Sequence, residues 1–553
     1  MKKQITIKIK GKQYSFPAGV TAAKVLKATS RGSRLPALGA IIFNRLVDPD
    51  YRLNYDTTLK VVTYKDWQGV AIYRRSATLI LIEAVHQLFP KKRLVIGQSV
   101  AEGYFFDLYL DRSLEKEDIT RIEERMRRIV SQDRPFEIKY VSYREAKTYF
   151  EEQRLQDKIK LLPFLRASDV CLVSCGDFQE LYSGPVAPTT GTIAAFALEP
   201  YQEGFVLRFP TWEEKWKLSD TVKKEVKLFN IYRETRQWNN ILSVENVGQL
   251  NELCVSGRIR ELIIIAESLH EKKIAAIADE IARRRKEVRL VLIAGPSASG
   301  KTTFAKRLII QLKVAGLQPV ALSLDNYFKN RDQTPRDETG EVDFESLHAL
   351  DLKLFNQHLG ELFHGREVEV PQFDFKKGER REKGVEFKFQ PGGVLLIEGI
   401  HCLNDQVSQA VPESEKFKIY ISALTQLCID DHNRILTSDT RLLRRIVRDR
   451  IHRGWNASDT ISLWPSVRRG ENRNIFPFQE SADVIFNSAL VYEQAVLKNH
   501  AELGLLDVAP DDPNYVEAHR LLQFLDFFAP ISERDVPSTS ILREFIGDSF
   551  FSY

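Results

Sequence analysis

The chain has 553 residues, enough for about three or four domains at roughly 100–200 residues each. Its 80 Lys and Arg side chains nearly balance 75 Asp and Glu, and the formal net charge of +5 makes no case for nucleic-acid binding. Cys171, Cys175, Cys254, Cys402 and Cys428 are odd in number and form no CxxC pair, which fits a reducing, cytoplasmic setting better than a disulfide framework. The opening stretch MKKQITIKIKGKQYSF has no continuous apolar segment, so no signal peptide is expected. No apolar run approaches the roughly 18 residues of a membrane span.

Ile5, Ile7 and Ile9 alternate with polar residues, Gly11-Lys12 follows, and Tyr14 and Phe16 come next. This pattern predicts a β-hairpin with one buried face. Thr21–Ala28 reads as a short helix, and strand-like segments up to Val62 complete a β-rich domain over residues 1–64. ITIKIKGKQYSFPAGVTAAKVL, followed by FNRLVDPDYRLNYDTTLKVVT, resembles a TGS domain, a small β-grasp module found in threonyl-tRNA synthetases and some GTPases. The resemblance implies an interaction or RNA-contact element.

Residues 65–204 resemble the α+β editing-type domain of threonyl-tRNA synthetases through RRSATLILIEAVHQLFP, GYFFDLYL, IEERMRRIV and ELYSGPVAPTTG. That family places an HxxxH pair at the start of the helix and a Cys and a His in the later Gly-Pro loop. The corresponding positions here are Arg75, Leu79, Tyr182 and Val186. A guanidinium cannot act as a neutral imidazole ligand or base, and Leu and Val offer no lone pair. The resemblance therefore implies a retained scaffold or binding surface without the editing chemistry. Its expected partners are RNA, tRNA or a regulatory ligand. His86, inside an apolar helical pattern, reads as a packed helix residue.

Residues 205–285 read as a connector. Its run RELIII is expected as a strand or buried turn leading into a helix, and Arg283-Arg284-Arg285-Lys286 as that helix's solvated end.

The most specific motif begins at Gly295. VRLVLIA, residues 288–294, is a continuous apolar run suited to a central parallel strand. Gly295, Pro296, Ser297, Ala298, Ser299, Gly300, Lys301 and Thr302 then spell GxxxxGK[ST], and Thr303 continues into an amphipathic helix. In such a loop the backbone N–H groups and the helix N-terminus face phosphate. The Lys301 ammonium reaches the β- and γ-phosphates, and the Thr302 hydroxyl reaches Mg²⁺. ATP and Mg²⁺ are thus the expected cofactors. DETG at residues 337–340 imitates a GTPase switch but sits in a polar loop, and no NKxD motif accompanies it, so it reads as an ordinary turn.

A second strand, PVALSLDNYF, carries Asp325 to its carboxyl end, the edge where ligands bind in open α/β sheets. There a carboxylate could take the proton of an attacking hydroxyl, or merely cap a turn. A third, GVLLI at 393–397, ends in Glu398, where P-loop enzymes place a carboxylate near Mg²⁺ or its water. RLLRRIVRDRIHRG sets Arg441, Arg444, Arg445, Arg448 and Arg453 around an apolar stripe of Leu442, Leu443, Ile446, Val447 and Ile451. It reads equally as a solvated basic face or as a lid that brings guanidinium groups onto a transferring phosphoryl.

In this order, GPSASGKTT, SLDNYF, PQFDF, VLLIEGI and RLLRRIVRDRIHRG resemble the uridine kinase/phosphoribulokinase family over about residues 288–495. The resemblance implies a P-loop α/β kinase domain with a parallel sheet over 286–500, and a nucleoside as phosphate acceptor. It implies Asp325 as catalytic base, with Lys301 on phosphate, Thr302 and Glu398 on the metal side, and Arg441, Arg444 and Arg448 in a lid. The acceptor segment departs from the pyrimidine-nucleoside enzymes. Glu345 stands for an Asp, Phe373 for a Tyr, and Gly378 for a His. Losing two polar partners of a base can shift specificity by orders of magnitude. Glu345 remains a candidate for a ribose diol, and Lys376 and Lys377 read as solvated. Residues 501–553 read as a helical extension on the kinase domain. The alternatives are a kinase of another small alcohol, such as a sugar phosphate, and a nucleotide-gated RNA-binding protein. A homo-oligomer is compatible with each.

Overall fold

The computed structural model describes residues 3–29, 35–211, 217–220, 225–337, 340, 342–374, 377–390 and 392–552. The first domain follows the alternation of its isoleucines. β1 (Gln4–Ile9) buries Ile5, Ile7 and Ile9 and pairs antiparallel with β2 (Lys12–Pro17). Lys10 and Gly11 turn between them with φ of 48° and 78°. α1 (Ala22–Thr29), β3 (Gly39–Ile42), β4 (Arg45–Val47) and β5 (Thr57–Val62) complete the domain, with sheet order β2-β1-β5-β3-β4. Val25 and Leu26 of α1 close its small core against the isoleucines.

α2 (Trp67–Leu88) is apolar on nearly every side, and it is buried on nearly every side from Ser76 to Val85. β6 (Leu94–Val100), β7 (Gly103–Leu108), α3 (Lys116–Ser131), β8 (Glu137–Ser142), β9 (Asp169–Ser174), β10 (Gln179–Leu181), β11 (Ala197–Tyr201) and β12 (Gly204–Arg208) follow. They form two antiparallel sheets, β11-β12-β7-β6 and β8-β9-β10. β12 carries this domain past the boundary expected at 204. His86 is half-buried beside the Phe178 ring, centroids 5.1 Å apart, as a packed helix residue should be.

The connector holds α4 (Val226–Ile241) and α5 (Ile259–Arg283). RELIII is helical from Ile259, so the expected strand or turn is absent there. Ile259, Leu262, Ile263, Ala266, His270, Ile274, Ile277 and Ile281 are buried at helical spacing, whereas Ile264 and Ile265 face outward. Three consecutive isoleucines hide that period in the sequence. Arg283, Arg285 and Lys286 are exposed, as a solvated helix end.

The last region is a parallel sheet flanked by helices. β13 (Leu290–Ala294), α6 (Lys301–Val314), β14 (Pro319–Ser323), β15 (Val394–Glu398), β16 (Lys416–Ser422), α7 (Thr437–Arg448), α8 (Ala457–Asn474), β17 (Val484–Asn487) and α9 (Glu493–Leu506) run in chain order. All sheet pairings are parallel, in the order β14-β15-β13-β16-β17, and β13 is wholly buried at the centre. α10 (Tyr515–Leu525) and α11 (Arg543–Ile546) bury Leu521, Leu525, Phe545 and Ile546 in the core that β13 and α6 share. The Gly340 N–H donates to the Asp337 carbonyl at 2.9 Å, and Gly340 takes φ 86°. Glu338, Thr339 and Lys376 lie outside the described residues. Among those described, no helix is long and apolar enough to cross a membrane.

Candidate active site

The loop after β13 is shaped by close approach and by two left-handed residues. A Cβ on Gly295 would lie 2.3 Å from the Ile421 carbonyl oxygen on β16, so only glycine fits there. Ala298 and Gly300 take φ of 59° and 82°, which turns successive N–H groups toward one side. Such a φ is strained for alanine and marks a conformation held by its surroundings. Lys301 opens α6, and its ammonium donates to the Pro296 carbonyl at 3.2 Å, while the Thr302 side chain is half-buried beside it.

Two carboxylates face this loop from neighbouring strand ends. Glu398 is the last residue of β15, paired in register with Ser323 of β14, whose hydroxyl donates to it at 3.0 Å. Asp325 follows in the 3-10 turn Leu324–Tyr327. Burial pushes the Glu398 carboxyl up to about 7, and the Asp325 charge adds to this while Lys301 opposes it. Burial also raises Asp325, against Lys301, Arg453 and Arg448. Lys301 thus stands electrostatically between two acids at the carboxyl edge of the sheet, where a doubly wound fold binds ligands.

Glu345 approaches the same group of charges from a loop. A Cβ on Gly470 of α8 would lie 2.2 Å from Glu345 Cβ, so the helix packs directly over it. Burial pushes its carboxyl up to about 7; Glu471 adds to this, and Arg445, Lys301 and Arg441 oppose it. Phe373 is buried against Phe328, ring centroids 5.6 Å apart, and supplies an apolar wall. Lys377 is exposed, in keeping with solvation.

The arginines of α7 divide. Arg441 donates from Nε to the Ser297 carbonyl at 2.9 Å and pairs with Glu471. Arg444 donates to Glu493 at 2.8 Å and to the Ala298 carbonyl at 3.3 Å. Both guanidinium groups and both carboxylates are fully enclosed. Arg441 and Arg444, expected in a lid, instead brace the phosphate loop from beneath, because each finds a buried counter-charge on α8 or α9. Arg445 donates to the Ser297 hydroxyl at 2.9 Å. Arg448 and Arg453 share Asp449, at 2.8 and 3.5 Å, and act electrostatically on Asp325. Ile451 leaves the apolar stripe and is 45 % exposed, since α7 widens into a π turn over Asp449–Arg453.

Three acids absent from the sequence reading belong to this site. Glu471 accepts from the Ser297 N–H at 3.2 Å, Glu493 neutralises Arg444, and Glu544 accepts from the Thr303 N–H at 3.1 Å and hydroxyl at 2.7 Å. No local pattern marks any of them, because their partners lie far away along the chain.

In the second domain, Arg75 donates to the Pro185 carbonyl at 2.6 Å and Tyr182 to Asp48 of the first domain at 2.7 Å. Leu79 and Val186 are buried. Arg75 and Tyr182 are close enough to interact electrostatically, and none of the four positions carries an imidazole or a thiol.

Comparison with known proteins settles what the last region is. The sequence model of the Phosphoribulokinase / Uridine kinase family matches residues 290–493. This segment is a kinase domain of that family. The Gly295–Thr302 loop, Asp325 and Glu398 all fall inside the match. The N-terminal part of the chain matches threonyl-tRNA synthetases. Threonine–tRNA ligase of Desulforamulus reducens is 34% identical over 198 residues, 35% of this chain and 31% of the ligase. That of Coxiella burnetii is 35% identical over 188 residues, 34% of this chain and 29% of the ligase. The chain thus spans about a third of the length of these curated relatives. A solved structure described as a possible uridine kinase from Bacillus stearothermophilus aligns with 38% of this chain and 97% of its own, at 16% identity and a TM-score of 0.26. At that score the likeness carries no argument about the kinase domain.

The kinase domain offers a hydroxyl, Thr302, and a buried carboxylate, Glu398, beside the phosphate loop. Magnesium takes one or two protein oxygens and completes its shell with phosphate and water, so this sparse donor set fits it.

Proposed function

We propose that the protein moves the γ-phosphate of ATP to a hydroxyl of a small molecule, with a nucleoside as the first acceptor to test. One observation carries this reading: Asp325 and Glu398, from adjacent strand ends, face Lys301 across the mouth of the phosphate loop. In this reading the loop's N–H groups and Lys301 position the phosphates, while Asp325 accepts the proton of the attacking hydroxyl. Burial raises the Asp325 carboxyl, and Lys301, Arg453 and Arg448 oppose that rise and favour its charged form. Magnesium, held by Thr302 and Glu398, would neutralise charge on the phosphates. Glu345, enclosed by α8, would grip vicinal hydroxyls of the acceptor, and Phe373 would face its apolar side. The missing phenol and imidazole favour an acceptor other than the pyrimidine nucleosides, and a sugar phosphate is the second candidate. The two N-terminal domains would act as a binding surface, with RNA or a regulatory ligand as partner.

The test is ATP turnover with a panel of nucleosides and sugar phosphates, run beside Asp325→Asn. One acceptor should be required, and the variant should lose about 10²-fold or more of the rate while still binding ATP. Hydrolysis that ignores every acceptor and persists in the variant would remove the kinase reading.

A further inference from the structure

The P-loop of a kinase must keep its N–H donors available to phosphate, yet one of them is taken by a distant part of the same chain. Thr303 is the third residue of α6. The N–H groups of a helix's first turn have no partner within the helix, and behind a Gly-rich loop they are the donors that cradle phosphate. The Glu544 carboxylate accepts from both the N–H and the hydroxyl of Thr303, at 3.1 and 2.7 Å.

The segment that carries Glu544 is firmly anchored. Ile541, Leu542 and Phe545 are each fully buried. A Cβ on Gly300 would lie 2.4 Å from Ile541 Cγ2, so this segment touches the loop itself. The Arg444 guanidinium lies over the Phe545 ring, 5.0 Å from its centroid, and Lys306 donates to the Ser552 carbonyl. The same arginine that supports the phosphate loop from beneath therefore also seats the C-terminal turn.

Glu471 makes an instructive contrast. It also accepts from a loop N–H, that of Ser297, but Arg441 and Arg468 neutralise it, so it is a structural part of the loop. The Glu544 charge also acts on Lys306 one turn along α6, yet the carboxylate's hydrogen bonds go to Thr303 at the start of that helix.

We propose that the C-terminal turn holds the Glu544 carboxylate on Thr303 as a built-in competitor for the phosphates of the nucleotide. A carboxylate and a phosphate oxygen cannot share one N–H, and two anions at that spacing repel. Bound nucleotide then displaces Glu544, and whatever lifts Glu544 away raises nucleotide affinity by the same factor. The inference rests on the reading of the loop as a nucleotide site.

The experiment measures ATP and adenosine affinity, with Mg²⁺ present, for the full-length protein and for Glu544→Gln, Glu544→Ala and Lys301→Ala. Gln keeps the shape and the hydrogen bond to Thr303 while removing the charge, so it guards against misfolding. Both Glu544 variants should bind ATP about tenfold tighter than the natural protein. Adenosine, with no phosphate, should gain nothing. Equal or weaker ATP affinity in both variants, or an equal gain for adenosine, overturns the proposal. ATP binding absent from all four proteins overturns the nucleotide reading beneath it as well, and the Lys301→Ala control separates the two failures.

Discussion

Glu345 shows how a single residue's chemistry depends on what folds over it. Its carboxyl rises from the ordinary range to about 7 through burial, with Glu471 adding to the effect. The folded protein therefore holds this proton more tightly than the unfolded chain. The resulting stability is complete below about pH 4.5 and is lost as pH rises through about 7. Glu345→Gln should flatten that part of the profile, read as unfolding midpoints across pH 4 to 8 at roughly half-unit steps. A slope unchanged by the substitution would assign the titration to other groups, such as Glu398. That the residue stands at the place of a family motif was legible in the sequence. Its enclosure was not, because Gly470 and Arg445 come from helices much later in the chain.

Among the elements, the strand–loop–helix unit at 290–314 was read almost without loss, since its apolar run, glycines and helix are contiguous. α7 was read correctly as a helix and less well as a site. Its arginines are alike in sequence, and only the three-dimensional placement of Glu471 and Glu493 separates braces from candidates for catalysis. Arg444→Met leaves Glu493 buried and unpaired, which should cost about 3–5 kcal/mol. It also removes support from Ala298, held at φ 59°, so ATP affinity should fall with stability in denaturant and calorimetric measurements. Replacing Arg444 and Glu493 together by apolar residues of similar volume should restore most of the stability. α5 shows the reverse error, in which a run of isoleucines concealed a helical period that its buried face makes plain.

At the scale of the whole molecule, the loop after β16 joins the kinase domain to the synthetase-like one through buried charge. Lys158 is fully enclosed and pairs with Glu180 at 2.7 Å, Asp430 at 3.0 Å and Asp157 at 3.6 Å. Asp431 receives a bidentate Arg93, at 2.6 and 2.8 Å, and its N–H donates to Asp157 at 2.8 Å. His432 contacts Glu180, whose charge helps hold the imidazole above its ordinary pKa against burial. Burial works against the Lys158 charge too, yet Asp430, Glu180 and Asp157 together keep its pKa above the ordinary value. Lys158→Ala should therefore destabilise by about 3–5 kcal/mol, and both domains should melt earlier in calorimetry. If only the synthetase-like transition moved, the charges would not couple the domains. The order of domains was legible from motifs, each of which is local. How they touch was not, because a short acidic loop such as Asp430-Asp431 looks like any solvated turn until Lys158 and Arg93 are seen beside it.

That junction has a bearing on how such a protein could change over generations. A fragment beginning near residue 286 would keep every part of the phosphate site, yet carry Asp430 and Asp431 stripped of Lys158 and Arg93. Two modules joined by a tether can be parted by a single break in a gene. Here such a break strands the anions Asp430 and Asp431 in one half and takes counter-charge from Lys158 and Arg93 in the other, so separation needs matched substitutions on each side before either half stands alone. The fusion works as a ratchet: a synthetase-like scaffold remains indispensable to its neighbour because of the counter-charges it lends.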